Sequence, residues 1–140
     1  MNNLNNQIHV PKKSRIYDTA LYELAVAFRK RSVDELNIIY ENPSDPKGIV
    51  LALINESPLA LDLIRSGRIN LHNIDPSTDA YELLLQDKTL YLLGNTPRGL
   101  LQAIYKLQEL LANDCPMPDN IYTYLQFELL PVEGLGLRAG

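Results

Sequence analysis

Between Tyr17 and Arg31 the apolar residues Tyr17, Leu21, Leu24, Ala25 and Phe28 recur at intervals of three and four, which predicts an amphipathic helix with one face for a sheet. Glu23 lies off that seam, and the cations Arg29, Lys30 and Arg31 are expected in the final turn, where they suit the helix dipole. Before it, Gln7 to Val10 is a short strand closed by Pro11. After it, Leu36 to Glu41 reads as a strand, and Asn42 to Gly48, with two prolines and a glycine, as a loop. Ile49 to Ile54 is an unbroken apolar run rich in branched residues and too short for a typical helix, which predicts a central strand covered on both faces. Leu59 to Arg65 mixes helical and strand periodicity, and Asn70 to Thr78 reads as irregular.

The pattern is sharpest in the stretch DAYELLLQDKTLYLLGNTPRGLLQAIYKLQELL, Asp79 to Leu111. Two apolar runs flank a polar turn at Gln86 to Lys88 and predict a hairpin, although the turn lacks the Asn-Gly signature that would fix its register. Thr96 supplies a hydroxyl for an N-cap and Pro97 occupies the first turn, where its missing N–H does no harm. Leu100, Ile104, Leu107 and Leu111, joined by Leu101 and Tyr105, then form a wide apolar helix face ending near Asn113. The boundaries that follow are a frayed, Asn-rich start over 1–6, an α/β domain over 7–112, and a connector and tail over 113–140. Ile121 to Pro131 is a further candidate strand, and the last nine residues contain three glycines.

Composition narrows the function classes. With 140 residues, 46% hydrophobic and 21% charged, the chain can bury one proper core without staples. A net charge of −4 and the lack of a Lys/Arg stripe argue against nucleic acid. No stretch approaches the roughly twenty apolar residues of a membrane span, which argues against a membrane. The start has no apolar signal region, so a cytoplasmic location is expected for the chain as it stands, or a secreted or periplasmic one if a signal peptide has been removed. The single Cys115 has no internal disulfide partner.

Candidate chemistry is sparse. His9 and His72 are not in metal-ligand spacing with each other or with Cys115, so both are read as surface or locally hydrogen-bonded groups and no metal is expected. Cys115 is read as an idle thiol, and no serine lies in a G-x-S-x-G elbow. Gly94 to Leu101 enters a helix N-terminus but lacks both phosphate-loop signatures. Its residues read as scaffold: Gly94 for a sharp turn, Pro97 to start the helix, Gly99 to let the helix sit close to the sheet, and Arg98 for a structural contact. Asp75, Asp79, Glu82 and Asp87 are available as an acid–base pair for glycoside hydrolysis, but their turn and hairpin positions favour solvated carboxylates. Tyr81, Tyr91, Tyr105, Tyr122 and Tyr124 suit core or interface packing better than sugar stacking. No catalytic, cofactor-binding or metal-ligating residue is therefore assigned.

The strand with Tyr81 and Leu83, the turn, the second strand ending at Gly94, and the Arg98-Gly99 opening of a helix with Tyr105, Leu107, Leu110 and Leu111 carry a resemblance. The segment resembles the end of the small α/β domain that precedes the catalytic barrel in several glycoside hydrolases: β-N-acetylhexosaminidases of family 20, α-glucuronidases of family 67, and related hexosaminidases and hyaluronidase-like enzymes. The resemblance implies an α+β fold with a mixed sheet, two helices on one face and a β-α-β-β-β-β-α order over about 7–112, a shape also described as zincin-like. No H-E-x-x-H is present, so that label implies no metal. It also implies a non-catalytic accessory role, with the carboxylates in a following (β/α)8 barrel of about 250 further residues. Arg138-Ala139-Gly140 stands where such proteins lead into the barrel through an Arg-Gly, a looser match. Partners implied are a barrel in the same or another chain; the alternative is a free-standing interaction module, with a homo-oligomer possible under either.

Overall fold

A computed structural model describes residues 7–41, 47–69, 71, 78–86 and 89–112, and the backbone of 120–123. The strands are β1 (Gln7–His9), β2 (Asn37–Ile39), β3 (Gly48–Leu53), β4 (Tyr81–Gln86), β5 (Thr89–Gly94) and β6 (Asn120–Thr123). The helices are α1 (Arg15–Ala27), α2 (Pro58–Arg65) and α3 (Pro97–Ala112), with single 3-10 turns at Val33–Glu35 and Ile54–Glu56. The fold is α+β, with a mixed sheet in the order β2-β1-β3-β5-β4-β6. β2, β1, β3 and β5 run parallel, whereas β4 is antiparallel to both β5 and β6.

The apolar run at 49–54 becomes β3, and all six of its residues are buried. Ile49, Leu51 and Leu53 join the core under α1 and α3; Val50 and Ala52 join a second core that includes Leu59, Ala60 and Leu63 of α2. Strand periodicity of two sends alternate side chains to the two layers, so an unbroken apolar run is what a strand between two layers needs.

Two helices share one face as expected, and α2 adds a third on the other. Its ends carry ordinary signals. The Ser57 hydroxyl accepts the Ala60 N–H at 3.2 Å, Pro58 opens the helix, and Gly67 closes it at φ +72°. The Gly67 N–H donates to the Ile64 carbonyl and the Arg68 N–H to that of Leu63, the two bonds of a Schellman stop. The mixed periodicity at 59–65 arises because the eight residues of α2, little more than two turns, offer too few repeats to separate the periods.

α1 stops at Ala27, short of the expected Arg31. Arg29 takes φ +58°, and the Arg29 and Lys30 N–H groups donate to the Val26 and Ala25 carbonyls. This is the same stop with Arg in the position where glycine is usual, so the cations lie beyond the helix and not in its last turn.

The hairpin has the register Tyr81↔Gly94 through Gln86↔Thr89, leaving two residues between the strands. The Thr96 hydroxyl caps α3 by accepting the Gly99 N–H at 3.0 Å. A Cβ on Gly94 would lie 2.3 Å from the Leu100 backbone N, and one on Gly99 would lie 2.2 Å from the Ala80 carbonyl oxygen. Both glycines therefore serve close approach, which the sequence suggests for Gly99 but not for Gly94, read there as the residue of a sharp turn.

Candidate functional site

In open sheets with parallel strands, ligands collect outside the carboxyl ends of the strands, where neighbouring connections leave in opposite directions. Here that point lies between β1 and β3. The chain leaves β1 through α1 towards β2, and leaves β3 through α2 towards β4 and β5, on the other side of the sheet. A polar cluster sits at this point. The Tyr17 hydroxyl donates to Glu56 Oε1 at 2.6 Å and accepts the Leu53 N–H at 3.0 Å, while Lys12 Nζ lies 3.3 Å from Glu56 Oε2.

Tyr17 has no solvent-exposed surface. Burial pushes its hydroxyl far above the usual tyrosine range, the Glu56 carboxylate pushes it further, and the Leu53 N–H partly opposes both. A tyrosine held protonated is a poor base, and both Glu56 oxygens already have partners. The cluster acts as a latch, tying the turn after β3 to the first turns of α1. Tyr17 was legible in the sequence only as one residue of an apolar seam, and Glu56 had no signal beyond following a strand.

Among the described residues, those singled out in the sequence do not converge. His9 is corrected from surface or locally bonded to core: it is 4% exposed, and neither ring nitrogen has a hydrogen-bond partner among the described residues. The cause is the parallel pairing of β1 on both sides, with β2 and β3. Ile8 and Val10 face the α1 layer, and the alternate residue, His9, must face the other, opposite Val50 and Ile39. An orphaned buried imidazole costs free energy that an apolar side chain would not. We therefore expect His9→Leu to raise stability by about 1–2 kcal/mol, read as a higher urea midpoint; an unchanged or lower midpoint would show that the ring has a partner after all.

Glu82 is a second correction. It is completely buried on β4 between Leu93 of β5 and the β6 backbone, not solvated in a turn, and it is not left without a partner. Asp79 is half-exposed: it accepts the Thr96 hydroxyl at 2.6 Å and lies 3.6 Å from Arg98 Nη1. Arg98 thus makes the structural contact expected of it, at a largely exposed position where such a pair contributes little energy. Tyr91 is in the α2-side core and Tyr81 packs against the other, whereas Tyr105 is 40% exposed and leaves the apolar face assigned to it. Helical geometry explains this: Tyr105 follows directly on Ile104, which points inwards. His72, Asp75, Asp87, Cys115 and Tyr124 lie outside the described residues, as does the Tyr122 side chain.

Among the described residues, no group of three or more His, Cys, Asp or Glu is placed to hold a metal ion, and no helix is long and apolar enough to cross a membrane. Two shallow concavities flank α1. One, of about 350 Å³, lies between the C-terminal ends of α1 and α3 beside Phe28 and Leu111. The other, of about 530 Å³, lies along β2 and is lined by Lys13, Asp18, Asp34 and Tyr40, with Lys13 over the Tyr40 ring. No protein-family model matches the chain, and no curated protein matches it significantly.

Proposed function

We propose that this chain is a non-catalytic accessory domain of a carbohydrate-active enzyme of glycoside hydrolase type, packing against a catalytic (β/α)8 barrel in the same or another chain. The observation that supports the reading is the use made of Gly94 to Leu101. Every distinctive residue there is spent on the fold: Thr96 caps α3, Gly99 sits against Ala80, and Arg98 pairs with Asp79. A segment with that economy joins strand to helix and leaves nothing over for a substrate. The acid–base pair of a glycosidase needs two carboxyl groups about 5–10 Å apart across a cleft. Glu82 is sealed in the core and Asp79 is tied to Thr96 and Arg98, so these two do not present such a pair.

The reading is tested by the mass of the natural product, blotted with an antibody against this domain, together with an assay of the isolated chain on a panel of nitrophenyl glycosides. A band several hundred residues larger than 15.8 kDa with no hydrolysis by the isolated chain is the expected result. Turnover by the isolated chain would overturn the non-catalytic role. A band at 15.8 kDa would replace the reading with a free-standing interaction module of the same fold.

A further inference from the structure

α1 and α3 lie side by side over one core and form the outer layer on that face of the sheet. Between them they carry six charged side chains. Four of these are paired: Asp18 with Lys13, Arg98 with Asp79, and Lys106 with Glu109. Arg15 and Glu23, both on α1, are the two that make no ion pair or hydrogen bond among the described residues. They are opposite in sign, but eight residues of helix put them about 12 Å apart along its axis, too far to meet within one chain.

Arg15, Thr19 and Glu23 stand at intervals of four and so make a single row across the solvent side of α1. The opposite side of the helix, with Tyr17, Leu21 and Leu24, is in the core. Ile16 flanks the row on one side, and Tyr22 with Val26 flanks it on the other. All three are exposed, Tyr22 to 59%.

We propose that this row is a self-association surface, on which α1 of a second copy packs antiparallel with a two-fold axis at Thr19. The occupant follows from the order of the row. Reversed on itself about Thr19, it sets Arg15 of each copy across from Glu23 of the other, so both unpaired charges gain a partner, twice over. Parallel pairing would set Arg15 against Arg15 and Glu23 against Glu23. Moving the axis to Tyr22 would set Arg15 against Arg29. The charges already paired do not oppose the Thr19 register: Lys12 and Lys13 are held by Glu56 and Asp18, and Asp18 falls opposite Ala20.

Packing agrees with the charges. Aligning the two rows makes the helices cross at about 50°, the commonest angle between packed helices, and the small Thr19 at the crossing point lets their axes come close. The two-fold keeps each flank against its own counterpart, so Ile16 meets Ile16 and Tyr22 meets Tyr22. Apolar surface that the single chain leaves in water is thereby covered. The inference goes beyond the accessory-domain reading and does not depend on it.

The test is the solution mass of the full 140-residue chain by light scattering and sedimentation, from about 1 to 500 µM, a range that brackets a Kd in the micromolar region. Mass rising towards twice 15.8 kDa is expected. Arg15→Glu and Glu23→Arg should each weaken the dimer about tenfold or more, and the double variant, which restores the pairs with their signs exchanged, should regain most of the loss. Arg15 is exposed and Glu23 partly so, and melting curves check that each variant folds. A readout that needs no variant is NMR of the wild-type chain: the signals of Arg15, Ile16, Thr19, Tyr22 and Glu23 should shift as concentration rises. A chain monomeric throughout would overturn the proposal. So would a dimer indifferent to both charge reversals, a double variant no tighter than the single ones, or shifts confined to another surface.

Discussion

Replacing Gly99 with alanine is expected to destabilise the fold, although the same change in an exposed helix would stabilise it by about 1 kcal/mol. The added Cβ would lie 2.2 Å from the Ala80 carbonyl oxygen and 3.1 Å from the Ala80 backbone N and C. These are main-chain atoms and have no rotamer to turn aside. The Ala80 carbonyl is held in place by the Asn95 N–H at 2.9 Å, and Asn95 is fixed in turn by its side-chain amide on the Thr78 carbonyl at 3.1 Å. Relief therefore requires α3 to lift from the start of β4, disturbing Leu100 and Ala103, which are fully buried. Overpacking of this kind costs about 1–3 kcal/mol, and more where backbone must move. For a chain of this length each kcal/mol corresponds to roughly 3–5 °C in Tm. A Tm equal to or above that of the wild type would mean that α3 does not approach β4 so closely.

Tyr17→Phe should have a comparable effect by a different route. The ring is kept, so packing changes little; what is lost is one oxygen that both accepts from Leu53 and donates to Glu56. The Leu53 N–H is left without that partner in a site that water does not reach, which costs about 1–3 kcal/mol. Urea unfolding should show a lower midpoint at unchanged slope.

The same residue gives the stability a signature in pH. In the unfolded chain Tyr17 titrates near 10, whereas in the fold it holds its proton to higher pH. The unfolded state then binds fewer protons above about pH 10, so its contribution is fully present below that value and is lost as pH rises beyond it. The wild type should lose stability in this alkaline window faster than Tyr17→Phe, and the two midpoints should converge. Parallel pH curves would show that Tyr17 ionises equally readily in both states.

The second half of the fold was readable because its signals are local. Thr96-Pro97 marks a helix start, Gly99 marks a close contact, and the hairpin strands lie two residues apart. α2 begins with the same kind of signal, Ser57-Pro58, but is too short for its period to stand out. The sheet order was not legible, because it depends on which strands meet across long stretches of chain. That order decided the fate of His9 and Glu82: a polar residue alternating with apolar ones reads as solvent-facing unless the strand is known to lie inside the sheet. The Tyr17, Glu56 and Lys12 cluster was invisible for the same reason. Tyr17 and Glu56 are separated by 39 residues and, with Lys12, meet only where β1 and β3 end side by side.

β3 carries one further consequence, for how the protein is made. Its six residues bear no charge, are buried on both faces, and have strand partners on both edges. One partner, β5, starts at Thr89, some way down the chain from Gly48. A ribosome therefore releases β3 well before the strand that completes its cover, and for that interval an apolar segment of high strand propensity has one edge open. α2, formed between the two from residues next to β3 in the chain, can shade one of its faces early. The short helix that the sequence hid best is thus also the element placed to shield the nascent centre of the sheet.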